Sequence, residues 1–274
     1  MNVAKAYPST DKMFEERAEL TYFMSADKAP AFIEQVGRQL EVHAFHWSES
    51  EEPPPHYVTT LYFDSDTREI VRACESGHES VRLRAREYYD RDPELGILRE
   101  PLLWLEVKTR AGASTRKARF AIPSDEIRSF LTDGSITRGM IMLQRPVWGE
   151  SAEAVLNEVA DLCNHTVGPL KPDCLAHYRR RAWQDAEETI RVTLDTELAF
   201  HRPPANLFQS GMTLSEALVT PPVAQPPFCL VEVKLRGPMP DWLGQLIRDI
   251  GLEPALDGLQ AFSKFVAASH AVHP

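Results

Sequence analysis

The chain has 274 residues, 43% of them hydrophobic, which is ample for a core in one large domain or two small ones. Thirty Lys+Arg stand against 40 Asp+Glu, a net charge of −10, so the chain as a whole repels nucleic acid, anionic membranes and polyphosphates, and any anion site must be local. Four cysteines, Cys74, Cys163, Cys174 and Cys229, lie far apart without a Cys-x-x-Cys pair; this argues against a zinc ribbon or a redox dithiol, and reduced, mostly buried thiols are expected. The first twenty residues lack the apolar stretch of an export signal and no run of about 18 apolar residues occurs, so no membrane span and a cytoplasmic location are expected.

The segment "MFEERAELTYFM" (13–24) mixes aromatic and polar residues as a strand does. "SADKAPAFIEQVGRQL" (25–40) follows with helical spacing and Ser25 as a cap. An acidic, proline-rich loop (46–56) precedes the alternating "YVTTLYFDS" (57–65), and strand-like runs recur at 79–90, 100–110 and 116–122. Helical patterns at 123–134 and 151–165 are followed by long strand-like runs at 170–184 and 188–200 and by a Pro-rich, loop-like stretch. The strand "FCLVEVKLR" (228–236) and two helical segments, "PDWLGQLIRDIG" and "GLQAFSKFVAASH", complete the chain. Strands dominate without βαβ alternation, which predicts an α+β fold with a mostly antiparallel sheet in a single domain.

Side chains alternate across a strand, so each run divides into two faces. Arg82, Arg84 and Arg86 oppose Val81, Leu83 and Ala85; Glu106, Lys108 and Arg110 oppose Leu105, Val107 and Thr109; Lys117 and Arg119 oppose Ala118 and Phe120. Arg191, Thr193 and Asp195 oppose Ile190, Val192 and Leu194, while Glu232 and Lys234 oppose Val231, Val233 and Leu235. Two arrangements are compatible with this pattern: an open sheet with its charged face in water, or a barrel with charged faces inward and helices over the apolar ones. Burying so many charges costs several kcal/mol each unless they are paired or neutralised, so the barrel makes sense only around a ligand. Residues 82–119 hold ten Lys+Arg against six Asp+Glu, opposite in sign to the chain, which favours a local anion site.

The ordered motifs "TTLYFDS", "VRLRAREY", "LEVKTR", "RKARF", "YRRRAW", "RVTLDTEL", "VEVKL" and "FSKF" resemble the VTC domain, the polyphosphate-polymerase-like branch of the triphosphate tunnel metalloenzymes that include the CYTH proteins. The resemblance covers residues 14–268 of a single domain spanning 1–274. It implies an antiparallel β-barrel tunnel with helices packed outside and a bore lined by basic residues for a phosphate chain. Carried over by motif, the phosphate clamp is Arg82, Arg84, Lys108, Lys117, Arg180, Arg191 and Lys264, with Arg82, Arg84, Lys108 and Lys264 as catalytic candidates. Glu232 matches the metal-ligand glutamate for a divalent ion, Mn²⁺ or Mg²⁺. The implied substrates are inorganic polyphosphate, triphosphate or a nucleoside triphosphate, with phosphoryl transfer or hydrolysis as the reaction; no nucleic acid is implied, and a membrane-protein partner is compatible.

The first strand departs from this pattern: Thr21 stands before Tyr22 where relatives carry lysine, and Glu19 is kept while Arg17 occupies the other glutamate site. Loss of that lysine bears on catalysis more than on binding, so a catalytically weak polyphosphate-binding or sensing module is the alternative. Arg86 and Arg119 are read as mouth residues or ion pairs, Arg86 at the rim. Asp195 is open between a metal ligand and an ion-pair partner of Arg191 or a neighbouring cation, the ion pair being favoured, and Glu106 is open between an ion pair and a metal or base role. His43 and His46 are read as surface or capping residues and Ser263 as helix packing.

Overall fold

A computed structural model describes residues 18–43, 56–76, 80–92, 96–99, 102–111, 114–123, 125–165, 170–205, 207, 213–257 and 260–274. In chain order the first half contains β1 (Ala18–Ser25), α1 (Ala29–Gly37), β2 (Glu41–Val42), β3 (His56–Asp64), α2 (Glu69–Ser76), β4 (Ser80–Asp92), β5 (Gly96–Arg99), β6 (Leu102–Ala111) and β7 (Ser114–Pro123). Next come α3 (Ile127–Asp133), α4 (Arg138–Trp148), α5 (Ala152–His165), β8 (Lys171–Gln184), β9 (Ile190–His201) and β10 (Phe228–Leu235). The chain ends with α6 (Asp241–Ile250), β11 (Glu253–Pro254), the short pair β12 (Leu256–Asp257) and β13 (Gln260–Ala261), and α7 (Lys264–Val272).

The main sheet runs β11-β1-β10-β9-β8-β3-β4-β6-β7, with β2 added on β8 and β5 on β4. Every pairing in it is antiparallel. Although β1 and β6 stand near opposite ends of this path, Lys108 Nζ on β6 lies 3.9 Å from Glu19 Oε2 on β1. Side chains from the two ends of a flat sheet cannot meet, so the sheet is curled around an interior into a tunnel-like form. No backbone ladder joins its two edges among the described residues, and the curl is not strictly closed.

Helices cover the apolar faces, as the two-faced strands require. Leu61, Leu83, Leu105, Phe120 and Ile122 form one outer cluster with Phe130 of α3, Met140 of α4 and Leu156 of α5. Val192, Leu194, Val231 and Val233 form another with Phe32 of α1 and Leu243 of α6. A third cluster, of Tyr62, Tyr88, Trp104, Cys174, Tyr178 and Leu230, lies on the inner face, where Phe265 and Val266 of α7 and Ile70 of α2 pack against it.

Local chemistry fixes the ends of these elements. Asp64, which closes the "TTLYFD" strand, accepts hydrogen bonds from the backbone N–H groups of Ser65, Ile70 and Val71 at 2.8–2.9 Å and so satisfies the otherwise orphaned first turn of α2. The Thr137 hydroxyl accepts from Met140 N at 3.1 Å and starts α4. Gly134, at φ 71°, supplies the left-handed residue that ends α3. Neither α2 nor α4 is foreseen by the sequence reading. The expected helix at 258–270 begins only at Lys264, because the β12–β13 pair occupies the residues before it. Ser25 precedes the helical turn as expected but makes no side-chain cap bond. Cys74, Cys174 and Cys229 are buried, as expected, while the Cys163 side chain lies outside the described residues.

Among the described residues β7 stands at the end of the sheet, and the buried Gln144 of α4 takes the place of a further strand beside it. Gln144 Nε2 donates to Ala121 O at 2.6 Å and Oε1 accepts from Ala121 N at 3.3 Å. Gln144→Leu therefore strands a buried N–H and a buried C=O together, and a loss of about 2–4 kcal/mol is expected in urea denaturation. A loss below about 0.5 kcal/mol would show that β7 is satisfied without Gln144.

Candidate functional site

The strand registers place the charged residues on one face and bring them together. Arg84 of β4 stands opposite Glu106 of β6, which stands opposite Arg119 of β7; Arg82 stands opposite Lys108. Across the interior, Arg180 of β8 faces Asp195 of β9, and Thr21 of β1 and Thr193 of β9 flank Glu232 of β10. Lys264 comes from the first turn of α7, where the Ser263 hydroxyl caps the helix by accepting from Val266 N at 3.5 Å. Its neighbour Phe265 is buried and stacks on Tyr62, with ring centroids 5.0 Å apart, which anchors the backbone that aims Lys264 inward.

Three carboxylate-centred groups result. Asp195, 0% exposed, accepts from Arg180 Nε and Nη2 at 2.6 and 2.7 Å, and Lys264 Nζ lies 2.7 Å from its Oδ2. Glu232 accepts from the same Lys264 at 2.9 Å and lies 3.7 Å from Arg180. Burial opposes ionisation of Asp195 and Glu232, but Arg180 and Lys264 outweigh it and hold both carboxyls below the ordinary range, Glu232 well below. For Lys264, burial is likewise outweighed by Asp195 and Glu232, and the ammonium is held above its usual value. The second group is Glu106, 2% exposed, which accepts from Arg84 Nε at 2.6 Å and has Arg119 and Arg86 at 3.6 and 3.8 Å. In the third, Glu19 lies 3.1 Å from Lys234 and 3.9 Å from Lys108.

Cations exceed carboxylates on this face. Among the described residues Arg82 and Arg191 make no ion pair, and Arg82 Nε, Arg119 Nε, Thr193 Oγ1 and Tyr178 Oη are buried without a hydrogen-bond partner. Burial, then the like charge of Arg180, pushes Arg191 down to about 10. Burial also lowers Lys108, against the pull of Glu19. Buried polar atoms without partners are uncommon in folded chains, and several of them beside surplus positive charge describe a place for an anion rich in oxygen acceptors.

The sequence reading overlooked the aromatic residues of the inner face. The Arg119 guanidinium lies 3.9 Å from the Trp104 ring centroid and 5.3 Å from that of Tyr88, and Lys264 Nζ lies 5.0 Å from that of Tyr178. The signal for them was available: Tyr88 shares parity with Arg82, Arg84 and Arg86, and Trp104 with Glu106 and Lys108. Burial raises the Tyr88 phenol, but Arg119 and Arg86 outweigh it and bring it down to about 8.

Several expectations are sharpened or corrected. Arg86 is not a rim residue: it is 6% exposed, and its Nε donates to Thr60 Oγ1 at 3.1 Å. Asp195 pairs with Arg180 and Lys264 rather than with Arg191. Glu106 has cations on both sides, the ion-pair reading of its place. Backbone pairing sets Lys117 opposite Lys108, while the Lys117 side chain, Arg17 and His46 lie outside the described residues. No group of three His, Cys, Asp or Glu side chains placed to hold a metal occurs among the described residues. Glu232, half-buried between the hydroxyl residues Thr21 and Thr193, is the inner carboxylate to which hard oxygen donors lie nearest in the ladder. No helix of the described residues is long and apolar enough to cross a membrane.

Comparison with known proteins bears on the family. Among solved structures, a candidate adenylate cyclase from Bacillus halodurans aligns over 92% of this chain and 97% of its own, with 12% identity and a TM-score of 0.47. A candidate adenylate cyclase from Vibrio parahaemolyticus aligns over 93% and 99%, with 13% identity and a TM-score of 0.41. A search of curated proteins gives no match. The profile of the VTC domain matches residues 16–273, which takes in every strand and helix described above, and the chain belongs to the VTC domain family.

Proposed function

We propose that the curled inner face binds a linear phosphate chain, as inorganic polyphosphate, triphosphate or a nucleoside triphosphate, together with a divalent metal, and transfers or hydrolyses its terminal phosphoryl group. The observation that carries this reading is Arg191, a half-buried guanidinium with no carboxylate partner among the described residues, pushed down to about 10. A cation held in that state is stabilised by an incoming anion, and one anionic group per phosphate unit matches the spread of Arg82, Arg84, Lys108, Lys117, Arg180, Arg191 and Lys264 along the strands. Arginines offer bidentate contacts to phosphate oxygens and Lys108 and Lys264 point charges; Arg82, Arg84, Lys108 and Lys264 are assigned to the transferring phosphoryl group.

The donor set fits a hard cation only in part, and the fit decides how it would be held. Glu232 supplies one carboxylate and Thr193 a buried hydroxyl without a partner among the described residues, so Mn²⁺ or Mg²⁺ would take most of its oxygens from phosphate and water. Bound there, the ion would draw charge from the phosphate oxygens. Lys264 and Arg180 keep Glu232 ionised for that role. A second reading, a binding module with weak or no turnover, is favoured by Thr21. It stands directly opposite Glu232 with a hydroxyl where the family has an ammonium, beside the place assigned to metal and phosphate.

Calorimetric titration with tripolyphosphate and Mn²⁺ is expected to give saturable binding that weakens about tenfold or more in Arg191→Gln, the loss of one charge-assisted contact. Absence of binding by the intact chain would remove both readings. Tyr88 offers an optical check. Titration at 295 nm should reveal one tyrosine ionising near pH 8, absent in Tyr88→Phe, whose absorbance at pH 9 falls when tripolyphosphate engages Arg119 and returns the phenol towards about 10. A signal indifferent to ligand would place the phosphate chain elsewhere. Thr21→Lys is expected to raise phosphate release at least about tenfold, the effect of one added transition-state charge contact. An unchanged rate would separate Thr21 from turnover.

A further inference from the structure

The motif "YRRRAW" holds three consecutive arginines, and strand parity lets only the middle one, Arg180, face inward. Arg179 and Arg181 face out on β8, where they line a cavity of about 490 Å³ with Ile33 of α1, Leu194 of β9 and Phe228 and Cys229 of β10. Its volume falls in the small-ligand range of about 300–1,000 Å³. The two arginines are not ordinary solvated charges. Arg179 reaches Glu197 with Nη1 at 3.3 Å, yet its Nε is buried without a partner, and Arg181 is half-buried with no ion pair among the described residues. Two guanidiniums against one carboxylate leave this cavity positive on a chain whose net charge is −10. Glu197 itself sits in the left-handed region, at φ 56°, where the β8–β9 register shifts by one residue, so a bulge shapes this wall.

We infer that this outer cavity is a second binding site, separate from the inner face, for a small amphiphilic acid. A carboxylate or phosphate monoester would be held by Arg181 and Arg179, and its hydrocarbon body would lie against Ile33, Leu194 and Cys229. The pairing follows from the walls: the cations need an acceptor, bidentate guanidinium contacts suit a planar or tetrahedral oxyanion, and the apolar floor excludes a fully hydrated ion. Neither the phosphate chain nor the metal of the inner face enters this inference.

Octanoate and octyl phosphate are suitable probes, with 1-octanol lacking the anion and inorganic phosphate lacking the tail. Calorimetry on the full chain is expected to show saturable binding of both probes, at about millimolar dissociation constants or tighter, and binding at least about tenfold weaker for octanol and for inorganic phosphate. Arg181→Gln and Ala29→Phe, the second filling the cavity mouth, should each weaken the probes about tenfold, with folding checked by circular dichroism. Should a variant misfold, hydrogen exchange on the unaltered chain decides: octyl phosphate should slow exchange in residues 26–33 and 226–229. Failure of both probes to saturate, inorganic phosphate binding as tightly as octyl phosphate, or protection confined to other segments would each overturn the inference.

Discussion

The Asp195 carboxylate, wholly buried with both oxygens engaged, is the constraint on which the arrangement of the inner face depends. It takes two hydrogen bonds from Arg180 of the adjacent strand and a third contact from Lys264 of the last helix, so one anion ties β8, β9 and α7 together. A buried pair of this kind contributes little net stability, because desolvation consumes most of the Coulombic gain. Its effect is geometric: Lys264 cannot leave without removing one of the two cations that offset the buried Asp195 charge, and Glu232 inherits a fixed ammonium 2.9 Å away. Glu106 does the same on the opposite wall, holding Arg84 and Arg119 from the two strands that flank its own.

Stability and function are thus carried by different faces of the same strands. The outer clusters under α1 and α3 to α6 are apolar and supply the burial that folds the chain, while the inner face keeps more positive charge than its carboxylates can neutralise. The chain tolerates that surplus because its net charge of −10 is spent elsewhere, and because Trp104, Tyr88 and Tyr178 present ring faces to the guanidinium and ammonium groups. Low-dielectric walls around a local positive field focus anions inward even when the whole molecule repels them.

Most of this fold was legible because period-two alternation over seven or more residues leaves little freedom. Once Arg84 is on one face, Leu83 and Ala85 must take the other, and the inward sets on β4, β6, β9 and β10 follow. What alternation cannot supply is depth along the strand or the identity of a partner. Arg86 was therefore read as a rim residue although it lies buried against Thr60, and the partner of Asp195 was left open between Arg191 of its own strand and a neighbouring cation, where the register sets Arg180. The helix α4 was hidden for a different reason: its sequence carries Pro146 and a mixed polar face, and its fixed point is a single buried glutamine bonded to β7, a contact without any local signature.

The bulge at Glu197 shows how far one residue decides which side a sequence faces. Above it Arg179 pairs with Thr196, and beyond it His177 pairs with Ala199, so β9 holds one more residue than β8 over this interval. Without the extra residue, strict alternation from Asp195 would turn Glu197 and Ala199 inward and Leu198 and Phe200 outward. With it, Glu197 leaves the interior to meet Arg179, and Leu198 and Phe200 enter the inner apolar cluster against which α7 docks. The same insertion that seats the helix carrying Lys264 therefore also builds the wall of the outer cavity, and the two faces of β8 and β9 share one structural cause.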